Sequence, residues 1–176
     1  MADFIALLRG VNVGGITVRS ADLRELFEGL GFVSVRTVLA SGNVVFESSA
    51  KESHAALKAR IEQALRDRFD YDAWIVLVTR AELQRAIDGF PFDADDEHRQ
   101  PWVIFASEDD VLDELAAFAG DADAEVDPIA RGDGVVYWNP VKGTTVDTPF
   151  AKLLAKARFK PTTTNRNLRT LRKMVG

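Results

Sequence analysis

The chain has 176 residues, 47% of them hydrophobic and 28% charged, with a formal net charge of −5. These values are typical of a soluble globular protein with one domain or two small ones. Cysteine is absent, which excludes disulfides, thiolate catalysis and zinc–sulfur sites. The N-terminal apolar run at residues 4–8 is too short for a signal peptide or a membrane span, so we expect a cytoplasmic protein.

A glycine-rich segment follows the first predicted strand, residues 4–8, which ends at Arg9. Three glycines and an asparagine occupy the next six positions: Gly10, Asn12, Gly14 and Gly15. Glycine adopts backbone angles that other residues avoid, so this loop can turn sharply and direct N–H groups towards an anion. The spacing resembles the start of a P-loop. However, Ile16 stands where the phosphate-binding lysine belongs, which excludes a P-loop nucleotidase.

The next segments predict a helix and a hairpin. Ser20 is the predicted N-cap of a helix at about 21–30, and Gly31 follows it at the C′ position. The residues between them repeat at helical spacing: Leu23, Leu26, Phe27 and Leu30. Strands at 32–39 and 44–46 then flank Ser41-Gly42-Asn43, a turn typical of a hairpin.

Two capping boxes follow. Ser49 and Glu52 predict the start of a second helix. Its inward face is Leu57, Ile61, Ala64, Leu65 and Phe69. After a strand at 74–78, Thr79 and Glu82 predict a short third helix. The order through residue 78 is therefore βαββαβ, the ferredoxin-like unit.

The same pattern repeats after an acidic segment, residues 93–98, which we interpret as the linker. A strand at 102–105, a helix capped by Ser107 and a hairpin of strands 125–130 and 135–138 are predicted. Thr148 with Pro149 opens another helix, 162–164 is a candidate closing strand, and a helix at about 166–175 ends the chain. The predicted fold is α+β, with two ferredoxin-like (alpha-beta plait) halves at 1–92 and 99–176. Each half is an antiparallel sheet with helices on one face.

This topology predicts a ligand site. The first and second strands of such a sheet run parallel, so Arg9 and the Ser41-Gly42-Asn43 turn should lie at one sheet edge. The candidate ligand-binding residues are Arg9, Gly10, Asn12, Gly14, Gly15, Ser41, Gly42 and Asn43. We expect a small anionic ligand there. The structural alternative is that the glycines only shape the crossover and that Asn43 only tolerates a left-handed turn.

Three stretches resemble a bacterial family known as domain of unknown function 1697. They are residues 7–15, residues 41–46, and residues 164–167 with Thr170 and Lys173. The resemblance covers nearly the whole chain and implies two alpha-beta-plait subdomains. It supplies no catalytic residues. Family members often carry lysines after the glycine pair, where this chain has residues 16–18, and tryptophan in place of Leu168.

The sequence assigns no catalytic residues and leaves open whether the protein is an enzyme. The two histidines, His54 and His98, are far apart, and no nucleophile elbow or Ser-His-Asp set is recognisable. We therefore predict no metal and no cofactor.

Charge and aromatic patterns leave two other functions open. Residues 93–127 contain thirteen acidic residues and one basic residue, whereas 152–173 contain eight basic residues and no acid. These segments are solvated surface, or they mediate self-association or partner binding. Alternatively, terminal basic residues and sheet aromatics bind RNA or single-stranded DNA weakly, although packing also explains the aromatics. The residues concerned are Tyr137, Trp138, Arg166, Arg169, Arg172 and Lys173, and Arg166 and Asn167 are further candidate anion contacts.

Overall fold

The computed structural model describes residues 2–9, 17–39, 42–49, 51–144, 147–156, 159 and 162–176. The chain forms two compact units. Unit 1 comprises Met1–Leu83 and Lys173–Gly176, and unit 2 comprises Gln84–Arg172, which includes the acidic segment 93–98. None of the helices in these described ranges is long and apolar enough to cross a bilayer.

Unit 1 contains a four-stranded antiparallel sheet in the order β2-β3-β1-β4. Its elements are β1 (Ala2–Arg9), α1 (Ser20–Gly29), β2 (Val33–Thr37), β3 (Asn43–Ser48), α2 (His54–Phe69) and β4 (Trp74–Thr79). The following helix, α3 (Arg80–Asp88), begins in unit 1 and ends in unit 2.

Unit 2 repeats this arrangement, with the strand order β6-β7-β5-β8. Its elements are β5 (Trp102–Ala106), α4 (Asp109–Ala117), β6 (Ile129–Arg131), β7 (Val136–Trp138), α5 (Pro149–Leu154) and β8 (Thr163–Asn167). The last helix, α6 (Leu168–Val175), begins in unit 2 and ends in unit 1. Two four-stranded antiparallel sheets and six α-helices among the described residues confirm the predicted α+β class.

The core of unit 1 lies between the sheet and the two helices α1 and α2. Alternate residues of β1 and β3 pack with the apolar faces of both helices, and Phe46 lies 5.3 Å from Phe27, ring centre to ring centre. Every side chain from Ile5 to Leu8 is at most 2% exposed, so both faces of β1 are buried. A strand that is buried on both faces is expected to be a continuous apolar run, as this one is.

The core of unit 2 is organised around Trp138, which packs edge-on against Phe150 at 5.2 Å. Asp127 is only 2% exposed and accepts two hydrogen bonds there, from Trp138 Nε1 at 3.0 Å and from the Phe150 N–H at 3.1 Å. The carboxylate thus satisfies a buried indole and one N–H of the first turn of α5.

Three predicted helix signals are confirmed. Gly31 follows α1 with φ +93, and the N–H groups of Gly31 and Phe32 return to Glu28 O and Phe27 O, a Schellman motif. Thr79 and Glu82 form a reciprocal capping box, with hydrogen bonds of 2.8 and 3.1 Å. Thr148 caps α5 through Oγ1, with Pro149 at its first position.

Three other predicted caps are wrong. Arg19, not Ser20, is the N-cap of α1. The N-cap of α2 is Ser53, whose Oγ accepts from the Ala56 N–H, while Glu52 forms an ion pair of 2.6 Å with Arg60. Ser107 precedes the cap position of α4, and its N–H donates to Thr162 O. In each case a neighbouring residue has the extended backbone that a cap requires.

The ends of some predicted elements also differ. β2 stops at Thr37 because Leu39 adopts a left-handed conformation, with φ +46. β6 is only three residues long, because the N–H groups of Val126 and Asp127 turn back to Asp123 O and the strand begins at Ile129. At the C-terminus, Arg166 lies in β8, and α6 begins at Leu168. The buried face of α6 is Leu168, Leu171 and Met174, whereas the predicted Val175 is only partly buried.

Candidate functional site

Strand pairing brings one terminus of each of the four unit 1 strands to the same edge of the sheet. β1 and β2 both run antiparallel to β3, so they run parallel to each other and end at the same side. Leu7 lies opposite Asn43, the first residue of β3, and Thr37 lies opposite Val44. Arg9 ends β1 opposite Trp74, where β4 begins.

Only part of the predicted site lies within the described residues. Arg9, Gly42 and Asn43 are described, whereas the other candidates lie outside: Gly10, Asn12, Gly14, Gly15 and Ser41. Arg9 is half-buried at the end of its strand. The described part of the site is therefore a strand end that carries a guanidinium, next to a hairpin.

Asn43 has a structural role in that hairpin. Its side chain is 5% exposed, and Nδ2 donates to Val38 O at 2.9 Å and to Leu39 O at 3.4 Å. The Val38 N–H returns to Asn43 O at 3.0 Å. Asn43 itself is in β3, and the left-handed residue is Leu39. The amide thus holds the preceding carbonyls in place.

The two C-terminal candidates, Arg166 and Asn167, lie in β8 of unit 2 opposite Val103 and Trp102. Arg166 Nη1 donates to Thr164 Oγ1 at 2.6 Å and to Asn165 O at 2.9 Å. Asn167 Oδ1 accepts from the Arg169 N–H at 2.9 Å, which places it as a cap on the first turn of α6. Both side chains therefore make local structural contacts.

The sheet aromatics are packed. Tyr137 and Trp138 are 3% and 2% exposed, and Phe105 is 3% exposed. The Tyr137 hydroxyl donates to Ala86 O at 2.6 Å and the Trp138 indole to Asp127. Because stacking on a base needs an open ring face, Tyr137 and Trp138 offer no such surface in this conformation.

Among the described residues, two tyrosines have a raised pKa. Burial raises the pKa of Tyr71 to about 12. Burial, with a smaller effect from Asp133, also raises the pKa of Tyr137. Over the described part of the chain, no three His, Cys, Asp or Glu side chains are grouped as a metal ion would require.

Unit 2 contains a cleft of about 340 Å³ that the sequence analysis did not identify. Its walls come from the segment after α3, the segment after α4 and the ends of β6 and β7. The lining residues are Phe92, Asp93, Asp96, Arg99, Ala119, Ala124, Asp127, Pro128, Ile129 and Asn139. The signal in the sequence was the density of acidic residues at 93–127. We interpreted residues 93–98 as a linker, and the whole acidic segment as solvated surface or as a surface for self-association or partner binding.

Comparison with known proteins identifies a structural relative and a family. The structure is similar to that of conserved bacterial protein SP0830 from Streptococcus pneumoniae, with a TM-score of 0.82 and 23% identity over 99% of this chain and 97% of the other. At that identity the likeness concerns the fold. No curated protein matches the sequence. The sequence model of a family described as protein of unknown function (DUF1697) matches residues 1–137. This chain therefore belongs to the DUF1697 family.

Proposed function

We propose that the protein binds a small anionic ligand at the edge of the unit 1 sheet where β1 ends and the β2–β3 hairpin turns. The observation that supports this proposal is the strand pairing, which sets Leu7 opposite Asn43 at the start of β3 and Arg9, the last residue of β1, opposite Trp74. The sequence then supplies a loop with three glycines, whose N–H groups suit an anion. Arg9 adds a permanent positive charge.

We further propose that each unit is a ferredoxin-like plait. Two facts support this. Unit 1 has the element order β1-α1-β2-β3-α2-β4, and unit 2 has β5-α4-β6-β7-α5-β8. In both sheets the first strand lies between the third and the fourth, with the second at the edge beside the third. In this topology the first crossover of unit 1 is the glycine-rich loop with α1.

A thermal-shift titration with inorganic phosphate, AMP and citrate tests the binding proposal. The variants are Arg9→Gln and, as a matched control, Arg24→Gln, which makes the same charge change at an exposed position of α1. A ligand at about 100 times its Kd stabilises a protein by about 2.7 kcal/mol. We expect at least one anion to raise the Tm of the wild type and of Arg24→Gln by several degrees, but not that of Arg9→Gln.

Two outcomes would overturn the proposal: no anion stabilises the wild type, or the effective anion stabilises Arg9→Gln equally well. Each variant is compared with itself with and without ligand, so a stability change caused by the substitution alone does not affect the result. Asn43 is not a useful probe of binding, because its side chain closes the hairpin through Val38 O and Leu39 O.

A further inference from the structure

The unit 2 cleft is built from segments that internal hydrogen bonds hold together. Arg99 donates from Nη1 to Asn139 O at 2.9 Å and from Nη2 to Glu125 O at 2.7 Å, so it joins two walls. The Asn139 N–H donates to Pro128 O at 3.0 Å. Residues 98–100 pair with 140–142 through an isolated bridge and two backbone hydrogen bonds. The cleft is therefore preformed within one compact unit.

One buried acceptor in this cleft lacks a donor. Asn139 lines the cleft and is only 3% exposed, yet its Oδ1 has no hydrogen-bond partner among the described residues. Leaving a buried acceptor unsatisfied carries an uncompensated desolvation cost, and most native structures avoid it. A ligand that brings an N–H donor would remove this cost.

The charge of the lining determines the kind of donor. The lining contains one cation, Arg99, and three carboxylates, those of Asp93, Asp96 and Asp127. It therefore carries an excess of two negative charges. Arg99 is already held by two carbonyl oxygens and lies 3.8 Å from Asp96. The excess charge favours a cationic ligand over an anion.

The remaining lining favours an organic cation over a metal ion. The described part of the chain has no three acidic or histidine side chains placed to hold a metal. Both oxygens of Asp127 already accept hydrogen bonds, from Trp138 and Phe150. The aromatic residue Phe92 is also part of the lining, and an aromatic ring suits an ammonium group but does not ligate metals. The volume of about 340 Å³ is near the lower limit for small-molecule pockets.

We propose that the unit 2 cleft binds a small molecule that carries a primary ammonium group. The ammonium has three donors, which meet Asn139 Oδ1 and the carboxylates of Asp93 and Asp96. This site lies in unit 2, whereas the proposed anion site lies in unit 1, so the two proposals stand or fall separately. Diamines and amino acids both offer this chemistry, and only amino acids add a carboxylate for Arg99.

Calorimetric titration of the full chain with 1,4-diaminobutane and with lysine tests this inference, with 1,4-butanediol as the neutral control. The informative variants are Asp93→Asn and Asp96→Asn. Asp93 Oδ1 accepts from the Asp95 N–H, and Asp96 Oδ1 accepts from the His98 N–H. The asparagine in each variant keeps an oxygen that can accept the same hydrogen bond. Asp123→Asn is the matched control, because Asp123 accepts from the Glu125 N–H in the same kind of turn but does not line the cleft.

We expect a diamine or lysine to bind the wild type and Asp123→Asn with similar Kd. Each cleft variant should bind about fivefold more weakly, the effect of removing one partly exposed charge. Tighter binding of lysine than of the diamine identifies an amino acid as the ligand class, and the reverse identifies an amine. Absence of binding by both cations, equal binding of the diol, or an equal loss in Asp123→Asn overturns the inference.

The Trp138 indole signal is an independent probe of where the ligand binds. Its Nε1–H donates to the cleft carboxylate Asp127. In ¹⁵N–¹H spectra the Trp138 indole signal should shift on titration with the bound cation, while that of Trp74, in unit 1, should not. An unmoved Trp138 signal, or equal shifts of both signals, places binding elsewhere and contradicts the inference.

Discussion

Several buried polar side chains among the described residues bind backbone groups. Glu62 is 8% exposed, and its Oε2 accepts from the Ile75 N–H and from Lys58 Nζ, both at 2.9 Å, which fastens α2 to β4. Asp127 and Asn43 hold a helix start and a hairpin in the same way. Asn139 Oδ1 differs, because this acceptor has no hydrogen-bond donor among the described residues. Tyr71 OH and Trp102 Nε1 are also buried without a partner among the described residues, but neither residue lines the unit 2 cleft. The ligand proposal therefore rests on the missing partner of Asn139 Oδ1 together with the position of Asn139 in the cleft.

The two tyrosines should respond differently to removal of the hydroxyl. Tyr71 OH is buried without a hydrogen-bond partner among the described residues, whereas Tyr137 OH donates to Ala86 O. We expect Tyr71→Phe to leave the unfolding free energy at pH 7 unchanged or slightly higher. Tyr137→Phe should lower it by about 1 kcal/mol. Urea denaturation measures both, and a larger loss for Tyr71→Phe than for Tyr137→Phe would contradict the assignment.

The substitution Tyr71→Phe should also change how the unfolding free energy depends on pH. The pKa of Tyr71 rises from 10.0 to about 12 on folding. Its neutral form therefore favours the folded state, and this contribution is complete below pH 10 and lost as the pH rises towards 12. The unfolding free energy of Tyr71→Phe should accordingly fall less steeply than that of the wild type between pH 10 and 12. Parallel slopes in this range would argue against the shift.

At the scale of elements, the start of each helix is decided by the backbone of one residue. Ser49 and Glu52 have the spacing of a capping box, yet Ser53 has the extended conformation and accepts from the Ala56 N–H at 3.1 Å. Glu52 instead pairs with Arg60, whose Nη1 also donates to Leu30 O. The tertiary contact of Arg60 therefore competes successfully with a local cap.

The two serines near the start of α2 provide a direct comparison. Ser53→Ala removes an N-cap and should lower the unfolding free energy by about 1 kcal/mol. Ser49→Ala changes an exposed residue before the helix and should stay within about 0.5 kcal/mol of the wild type. Chemical denaturation of both variants checks this. Equal losses would restore Ser49 as part of the helix start.

At the scale of the whole molecule, the last four residues complete unit 1. Lys173–Gly176 belong to unit 1, although α6 begins in unit 2. Arg36 Nη2 donates to Met174 O at 2.8 Å, and Arg80 donates to Val175 O. These donors satisfy carbonyl groups at the end of α6 that have no partner within the helix. Met174 itself is fully buried.

The C-terminal end should therefore contribute strongly to stability. Met174→Ala should lower the unfolding free energy by about 2–5 kcal/mol, the usual cost of truncating a large buried side chain. Lys173→Ala, at the exposed preceding position, should change it by less than about 0.5 kcal/mol. Thermal and urea denaturation compare the two variants. A Met174→Ala protein as stable as Lys173→Ala would show that this end is not part of the core.

The sequence by itself determined the kinds of element and their order. Helical spacing at Leu23 and Phe27, the Gly31 C-cap and the Thr148-Pro149 start all act within a few residues, so the local chain carries the signal. The strand ends at the proposed anion site also followed from the element order, because a parallel first and second strand must end together. The hairpin role of Asn43 did not follow, since its acceptors depend on the left-handed turn at Leu39.

Only the tertiary structure decided which polar groups are buried and what they meet. Three of these hydrogen bonds join distant parts of the chain. They separate Glu62 from Ile75 by 13 positions, Asp127 from Phe150 by 23, and Arg36 from Met174 by 138. No local pattern encodes such pairs, because their free energy depends on the desolvation and geometry that arise when distant segments pack. For the same reason the acidic segment resembled a solvated linker, whereas folding made it one wall of a cleft that contains Asn139.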